Sequence, residues 1–314
     1  MSRSRARASA CLPISGGRLE QAPYIGRCET SRCGTKNVVL TGASTHCHVA
    51  KFADPISIKA VSYGEVEWRL DHRRYLVQPD TLLLLPDGDE YSLTIDSVQP
   101  SRGFCVLFRR GLVEECWRAA VSAHETLLDA PHDIRPLPFR RRLESRTGPL
   151  GRALDALAAA VAARASPDTV GWLFEALGER AAESVCEQRR ERHRLTAIRA
   201  ATRLEIHRRL DLAREAIEDN LASPWTLVTM ARAAMMAPHH FHRCFHVAFG
   251  ETPRGWLSRR RAERAMALLR STSRPIIEIC LAVGYASASS FSASFAARYG
   301  TPPSQVARRR RALR

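Results

Sequence analysis

The sequence lacks any run of 18 apolar residues, so nothing in it reads as a membrane span. Residues 1–18 hold four arginines and no acid but lack the apolar core of a secretory signal, so they read as a basic tail, although an organellar transit peptide has a similar composition. No C-x-x-C pair occurs among the nine cysteines, at 11, 28, 33, 47, 105, 116, 186, 244 and 280. Their odd number and irregular spacing argue against a zinc ribbon or a disulfide framework, and Cys244 and Cys280 read as small core residues. There is no P-loop, no dinucleotide fingerprint and no Ser-His-Asp arrangement. The chain therefore reads as a non-enzyme, with no catalytic residue, no cofactor and no metal. From His207 onward lysine is absent too, and arginine carries all the basic charge.

That charge is what the sequence has in excess. The net charge is +16, and residues 207–314 hold 18 arginines against 7 acids, so two-thirds of the excess lies in the last third of the chain. Such asymmetry favours a polyanionic partner, because every neutralised phosphate releases condensed counterions. With 314 residues, 45% of them hydrophobic, the chain suits two globular domains.

Between about Val38 and Phe108 the pattern is that of short strands broken by turns: Ile56–Tyr63, Gly64–Leu70, Tyr75–Gln78, Thr81–Leu85 and Tyr91–Ile95. Even spacing predicts a small antiparallel barrel or sandwich. After Pro149 the period becomes helical. Leu150, Leu154, Leu157 and Val161 form one stripe, and Leu173, Leu177, Ala181 and Val185 form another on a helix over about 169–187. These stripes fit either internal core or a dimer contact. The polar run Gln188–Arg194 then interrupts the apolar pattern and predicts a domain boundary between about Arg189 and His207.

The C-terminal region repeats itself. Phe241-x-x-x-Phe245 before Gly250-Glu-Thr-Pro253 matches Phe291-x-x-x-Phe295 before Gly300-Thr-Pro302. In the second copy Ile276, Ile279 and Val283 make an apolar face, Gly284 supplies a left-handed turn, and Ser287 caps the helix that buries the two phenylalanines. Short helix, tight turn and capped second helix form a helix-turn-helix, whose second helix enters the major groove. In the first copy Ser223 or Thr226 caps the first helix, and Pro238 opens the second. Between the copies, Pro253 to about Arg270 predicts one helix roughly 27 Å long, at about 1.5 Å per residue. It buries Trp256, Leu257, Ala265, Leu268 and Leu269 and is expected to expose Arg259, Arg260, Arg261 and Arg264.

The run from Pro275 through Phe295 to Ser304 resembles the signature of AraC/XylS-type transcriptional regulators, over about residues 207–308. The resemblance implies a seven-helix DNA-binding domain, often joined to an N-terminal cupin-like barrel with helices for effector binding and dimerisation. It implies an α+β, two-domain chain. The domains are a basic tail over 1–35, a cupin-like barrel over 36–148, a helical dimerisation region over 149–203, a tandem helix-turn-helix domain over 204–308 and a basic tail over 309–314. Ile56-Ser-Ile-Lys59 and Leu82–Asp87 carry the weaker N-terminal likeness. Carried onto matching positions, the DNA contacts are His239, His242 and Arg243 on the first recognition helix. On the second they are Ala288, Ser289, Ser292 and Ala293. Three positions depart from the family pattern: Met235 stands where glycine is preferred, Ala237 where a capping serine is, and Ala293 where an arginine is common.

Expected partners are double-stranded DNA, RNA polymerase, a second copy of the chain and a small-molecule effector, in a cytoplasmic transcriptional regulator that acts as an activator or a repressor. Trp68, Tyr91 and Phe104 are the candidate effector-pocket residues. Two other functions remain open. His46-x-His48 suits a metal-dependent cupin enzyme, but Phe52 and Ala53 stand where its carboxylate would be. A non-specific nucleic-acid coat would use Arg308–Arg311.

Overall fold

The computed structural model describes residues 10–13, 22–23, 34–71, 73–121, 137, 139–196 and 199–312. The chain divides into two compact units, 1–187 and 188–314.

The first unit is built on one antiparallel sheet of nine strands that curls into a nearly closed barrel. Its strands are β1 (Ala10–Pro13), β2 (Ala22–Pro23), β3 (Val38–Ala53), β4 (Ser57–Tyr63), β5 (Val66–Leu70), β6 (Arg73–Val77), β7 (Thr81–Leu85), β8 (Glu90–Leu107) and β9 (Arg142–Ser145). The strand pattern is not uniformly short, because β3 and β8 run for 16 and 18 residues. β8 pairs with β3 along its length, with β5 through its first half and with β4 through its second. A register shift between Ser44 and His46 lets the pair bend where β8 changes partners. β1 and β2 lie within the expected basic tail, most of which falls outside the described residues. β1 pairs with β3 from Cys11↔Leu40 to Pro13↔Val38 and so covers an edge that would otherwise stay open.

Alternation along the strands separates two cores. Ile58, Ala60, Leu82, Leu84, Phe104 and Val106 point to one face, where three helices cover them. Val61, Leu83, Leu85, Cys105 and Leu107 point into the barrel with Trp68, Leu70, Tyr75 and Tyr91. This explains why all five residues of β7 are buried. The helices are α1 (Leu112–Val121), α2 (Pro149–Ala162) and α3 (Pro167–Arg194). Leu150, Leu154 and Leu157 of α2 and Phe174, Leu177, Ala181 and Val185 of α3 enter the outer core. The stripes that fitted a dimer contact are thus this unit's own core. Helix α3 also continues through the polar run 188–194, where Gln188 and Glu191 are buried rather than solvated.

The second unit is helical: α4 (Ala200–Asp219), α5 (Leu227–Ala233), α6 (Pro238–Phe249), α7 (Pro253–Ser271), α8 (Ile276–Ala282), α9 (Ala288–Tyr299) and α10 (Pro303–Ala312). Two cores follow the sequence repeat. Met230, Ala231, Phe241, Phe245, Trp256 and Leu257 anchor one, and Ala265, Leu269, Ile279, Cys280, Phe291 and Phe295 the other. The first half of α7 therefore belongs to one core and the second half to the other, which makes α7 the link between the two halves. Gly250 and Gly300 end α6 and α9 in the same left-handed conformation, at φ 72° and 67°.

A buried charge cluster ties the end of α3 to α4. His207, 1% exposed, places Nε2 2.9 Å from Glu191 and Nδ1 3.1 Å from Asp211. Burial by itself lowers the pKa of this imidazole, but hydrogen bonds and charge from Asp211 and Glu191 outweigh it and hold the ring above its ordinary value. Arg214 lies beside the cluster, its guanidinium 4.7 Å from the Phe249 ring centre and 5.5 Å from that of Trp256.

Candidate nucleic-acid interface

Each half of the second unit is a short helix, a turn and a longer helix. In the first, Thr226 caps α5 and exchanges a capping box with Thr229. The turn is closed by Met236 N–H donating to Ala231 O at 2.9 Å. Met235 occupies that turn at φ 52°, in the left-handed region, and is 60% exposed. Helix α6 then starts at Pro238, and Ala237 offers no side-chain cap. The second half closes its turn in the same way, through Tyr285 N–H and Cys280 O at 3.0 Å. Here Gly284 stands at φ 86°, and a Cβ on it would come within 2.8 Å of the Ala222 carbonyl oxygen, so glycine is needed for space as well as for conformation. Ser287 caps α9, accepting from Ser290 N–H at 3.3 Å.

Burying Phe241, Cys244, Phe245 and Ala248 turns the opposite face of α6 to solvent, with His239, His240, His242, Arg243 and His246 exposed on it. Arg243 is within 3.3 Å of the His240 ring and pairs with no carboxylate among the described residues. That face offers fork-shaped guanidinium donors and imidazoles, the chemistry that reads N7 and O6 of guanine. On α9, Phe291 and Phe295 are buried, Ala288, Ser289 and Ala293 are exposed, and Ser292 is half-buried. The Ser289 hydroxyl lies 3.2 Å from that of Ser287, so the cap partly occupies it. The structure thus puts the candidate residues of each helix on one outward face, with Ser292 the most withdrawn.

The linking helix does not expose the four arginines expected of it. Arg260 is 2% exposed and lies between Glu218 and Glu263, its Nη2 3.2 Å from Glu218 Oε2. Half-buried Arg259 bridges Glu251 at 2.6 Å and Glu263 at 3.3 Å. Arg261, also half-buried, donates to the carbonyls of Leu221 and Ser223 at 2.9 and 2.7 Å. Arg264 too is half-buried. Three of these arginines therefore serve the fold. The arginine that α7 leaves exposed at its start is Arg254, which the sequence reading passed over.

In the first unit, Trp68 and Tyr91 come together in the barrel interior, whereas Phe104 faces the helices and is not part of that lining. The interior also holds residues missed as site candidates. Lys59, 1% exposed, donates to Asp54 at 2.8 Å and to the Tyr91 hydroxyl, and its ammonium lies 4.5 Å from the Tyr91 ring centre. A lysine inside the apolar run Ile56–Val61 was the available signal. His46 is exposed, 3.5 Å from Asp96, and His48 lies 3.3 Å from Thr94. Among the described residues no three His, Cys, Asp or Glu side chains form a group that could hold a metal. No helix there is long and apolar enough to cross a membrane.

Comparison with known proteins fits this arrangement. A helix-turn-helix domain family matches residues 230–309, and the AraC-like ligand binding domain family matches residues 42–170. The virulence regulon transcriptional activator VirF of Yersinia enterocolitica is 34% identical over 90 residues, 29% of this chain and 33% of VirF. RclR of Escherichia coli, an RCS-specific HTH-type transcriptional activator, is 26% identical over 247 residues, 76% of this chain and 79% of RclR. The C-terminal domain of AraT, a response regulator from Geobacillus stearothermophilus, is 32% identical over 32% of this chain and 85% of that domain, with a TM-score of 0.31. The match to VirF spans about a third of that relative's length. The chain thus carries an AraC-like ligand-binding domain match followed by a helix-turn-helix domain match, the order that its resemblance to AraC/XylS-type regulators leads one to expect.

Proposed function

We propose that the chain is a sequence-specific DNA-binding transcriptional regulator that reads duplex DNA with α6 and α9. It responds to a small-molecule effector held in the barrel of the first unit. The observation that carries this reading is the duplicated helix-turn-helix, with two outward recognition faces fixed by one helix shared between two cores. His239, His242 and Arg243 supply base contacts from α6; Ala288, Ser289, Ser292 and Ala293 supply shorter-range contacts from α9. The likeness to the transcriptional activators VirF and RclR supports activation, for which RNA polymerase would be the further partner. A second copy of the chain and the cytoplasm, where duplex DNA is met, complete the reading.

The barrel interior supports the effector part of the proposal. Trp68 and Tyr91 give aromatic surface, and the Lys59–Asp54 pair gives charge in a dry interior, where an ion pair is costly to keep and offers a handle for a polar ligand. Selection of duplexes from a random pool by the full chain tests the function. The expected result is a motif with two fixed blocks about one helical turn apart, roughly 10 base pairs. Recovery of unenriched sequence would instead support a non-specific coat.

A further inference from the structure

Between the two recognition helices lies a groove of about 770 Å³. His242 of α6 stands on one wall, and Ser290 and Ser294 of α9 on the other. Its floor includes Arg254, Leu257 and Arg261 of the linking helix. No acidic residue lines it, so its charge is positive throughout. Arg261 is held by the Leu221 and Ser223 carbonyls. Arg254 is exposed and makes no hydrogen bond or ion pair with any described residue. It also sits in the first turn of α7, at the positive end of the helix dipole, just after the Thr252 cap.

This arrangement defines what enters the groove. Two recognition helices on one face of B-DNA occupy successive major-groove segments, about 34 Å apart. Between those segments a single minor groove faces the protein. The surface between α6 and α9 therefore meets the minor groove and its two phosphate strands, and the uncommitted cation on that surface is Arg254. Minor grooves narrow over A·T tracts, which deepens their negative potential and draws in arginine. G·C pairs place the guanine amino group in the same groove and obstruct it.

We propose that Arg254 enters the minor groove between the two half-sites and makes the chain prefer A·T pairs at positions that neither recognition helix touches. The inference rests on the reading of the chain as a duplex reader and adds to it a determinant of specificity outside both recognition helices.

The test uses the full chain and a duplex selected from a random pool, with only the base pairs between the two half-sites altered. The intact chain is expected to bind an A·T spacer about tenfold more tightly than a G·C spacer. An inosine·C spacer, which lacks the minor-groove amino group, should bind like A·T. Arg254→Ala should bring the A·T to G·C ratio below about twofold, and Arg254→Lys should leave it intermediate. Circular dichroism melting of each variant guards against misfolding, which an exposed and unpaired position does not invite. Equal binding of A·T and G·C spacers by the intact chain would overturn the proposal. So would an Arg254→Ala variant that keeps the ratio, or one that loses affinity equally for both spacers, the mark of a phosphate contact alone. In each of these cases discrimination within the half-sites persists. Loss of that discrimination as well would sink the regulator reading itself.

Discussion

Replacing Arg260 by alanine should unfold the second unit far more readily than replacing its neighbour Arg259. The Arg260 side chain is 3% exposed and lies between two carboxylates equally withdrawn from water, Glu218 at 6% and Glu263 at 3%. Removing the guanidinium leaves two buried carboxylates facing each other, with Glu263 keeping its link to Arg259 at 3.3 Å. Breaking a buried pair by removing one partner costs about 3–5 kcal/mol, because the charge left behind is neither solvated nor paired. Arg259 is 24% exposed and its partner Glu251 31%, so water screens that link, and buried Glu263 keeps Arg260 when Arg259 is removed; the loss should cost about 1 kcal/mol or less. Thermal unfolding of the full chain, followed by circular dichroism, reads both variants. For a unit of this size roughly 4 °C accompanies each kcal/mol, so Arg260→Ala should lower the C-terminal transition by about 12–20 °C and Arg259→Ala by a few degrees. Replacing Arg260, Glu218 and Glu263 together by methionine or leucine should return most of the loss, since apolar groups of similar volume pack there without charge. An Arg260→Ala transition within about 4 °C of the parent would refute the reasoning, because the cluster would then be solvated.

Met235→Gly should stabilise the second unit by up to about 1 kcal/mol, since the left-handed methionine is mostly exposed and loses little packing; a clear fall in melting temperature would reject this. His207, held above its ordinary pKa, contributes stability that is full below about pH 6.5 and is lost as pH rises through the raised folded value. Unfolding midpoints should therefore fall as pH rises above about 6.5, and His207→Gln should flatten that fall; identical pH profiles for the two proteins would contradict it. Arg243→Ala should relax base preference within one half-site by about 1–3 kcal/mol, whereas Ser289→Ala should weaken binding modestly with little change in preference. Binding to single-base variants separates the two, and equal losses of discrimination would show that α9 also reads bases.

The repeat made the second unit legible. The spacing of Phe241, Phe245, Phe291 and Phe295 marks both recognition helices, and these four residues are buried in the two cores. What escaped was the sidedness of charged residues. Arg260 follows Trp256 by four positions and Leu257 by three, so helical spacing puts it on the apolar face, but its charge suggested solvent. Gln188, Glu191 and Leu195 share a buried side for the same reason, and the polar run 188–194 contains good helix formers with no glycine or proline to end the helix. In the barrel the obstacle was different. Phe104-Cys-Val-Leu107 is buried on both faces, so alternation gives no sign of which residues look inward, and Phe104 was grouped with Trp68 and Tyr91 although it faces the helices. Lys59 alternates with Val61 into the barrel, and only the partners Asp54 and Tyr91, brought together by the fold, explain how a lysine can lie there.

Sequence-specific reading of duplex DNA is the central claim, and competition binding tests it most directly. The full chain, held near 150 mM salt, is titrated with its selected duplex and with a random duplex of equal length. The two helix-turn-helix units predict that the selected duplex binds at least about a thousandfold more tightly and survives a large excess of random DNA. Equal affinities for the two duplexes, falling together as salt rises, would mean that the 18 arginines of the last third act through charge alone and would contradict the account.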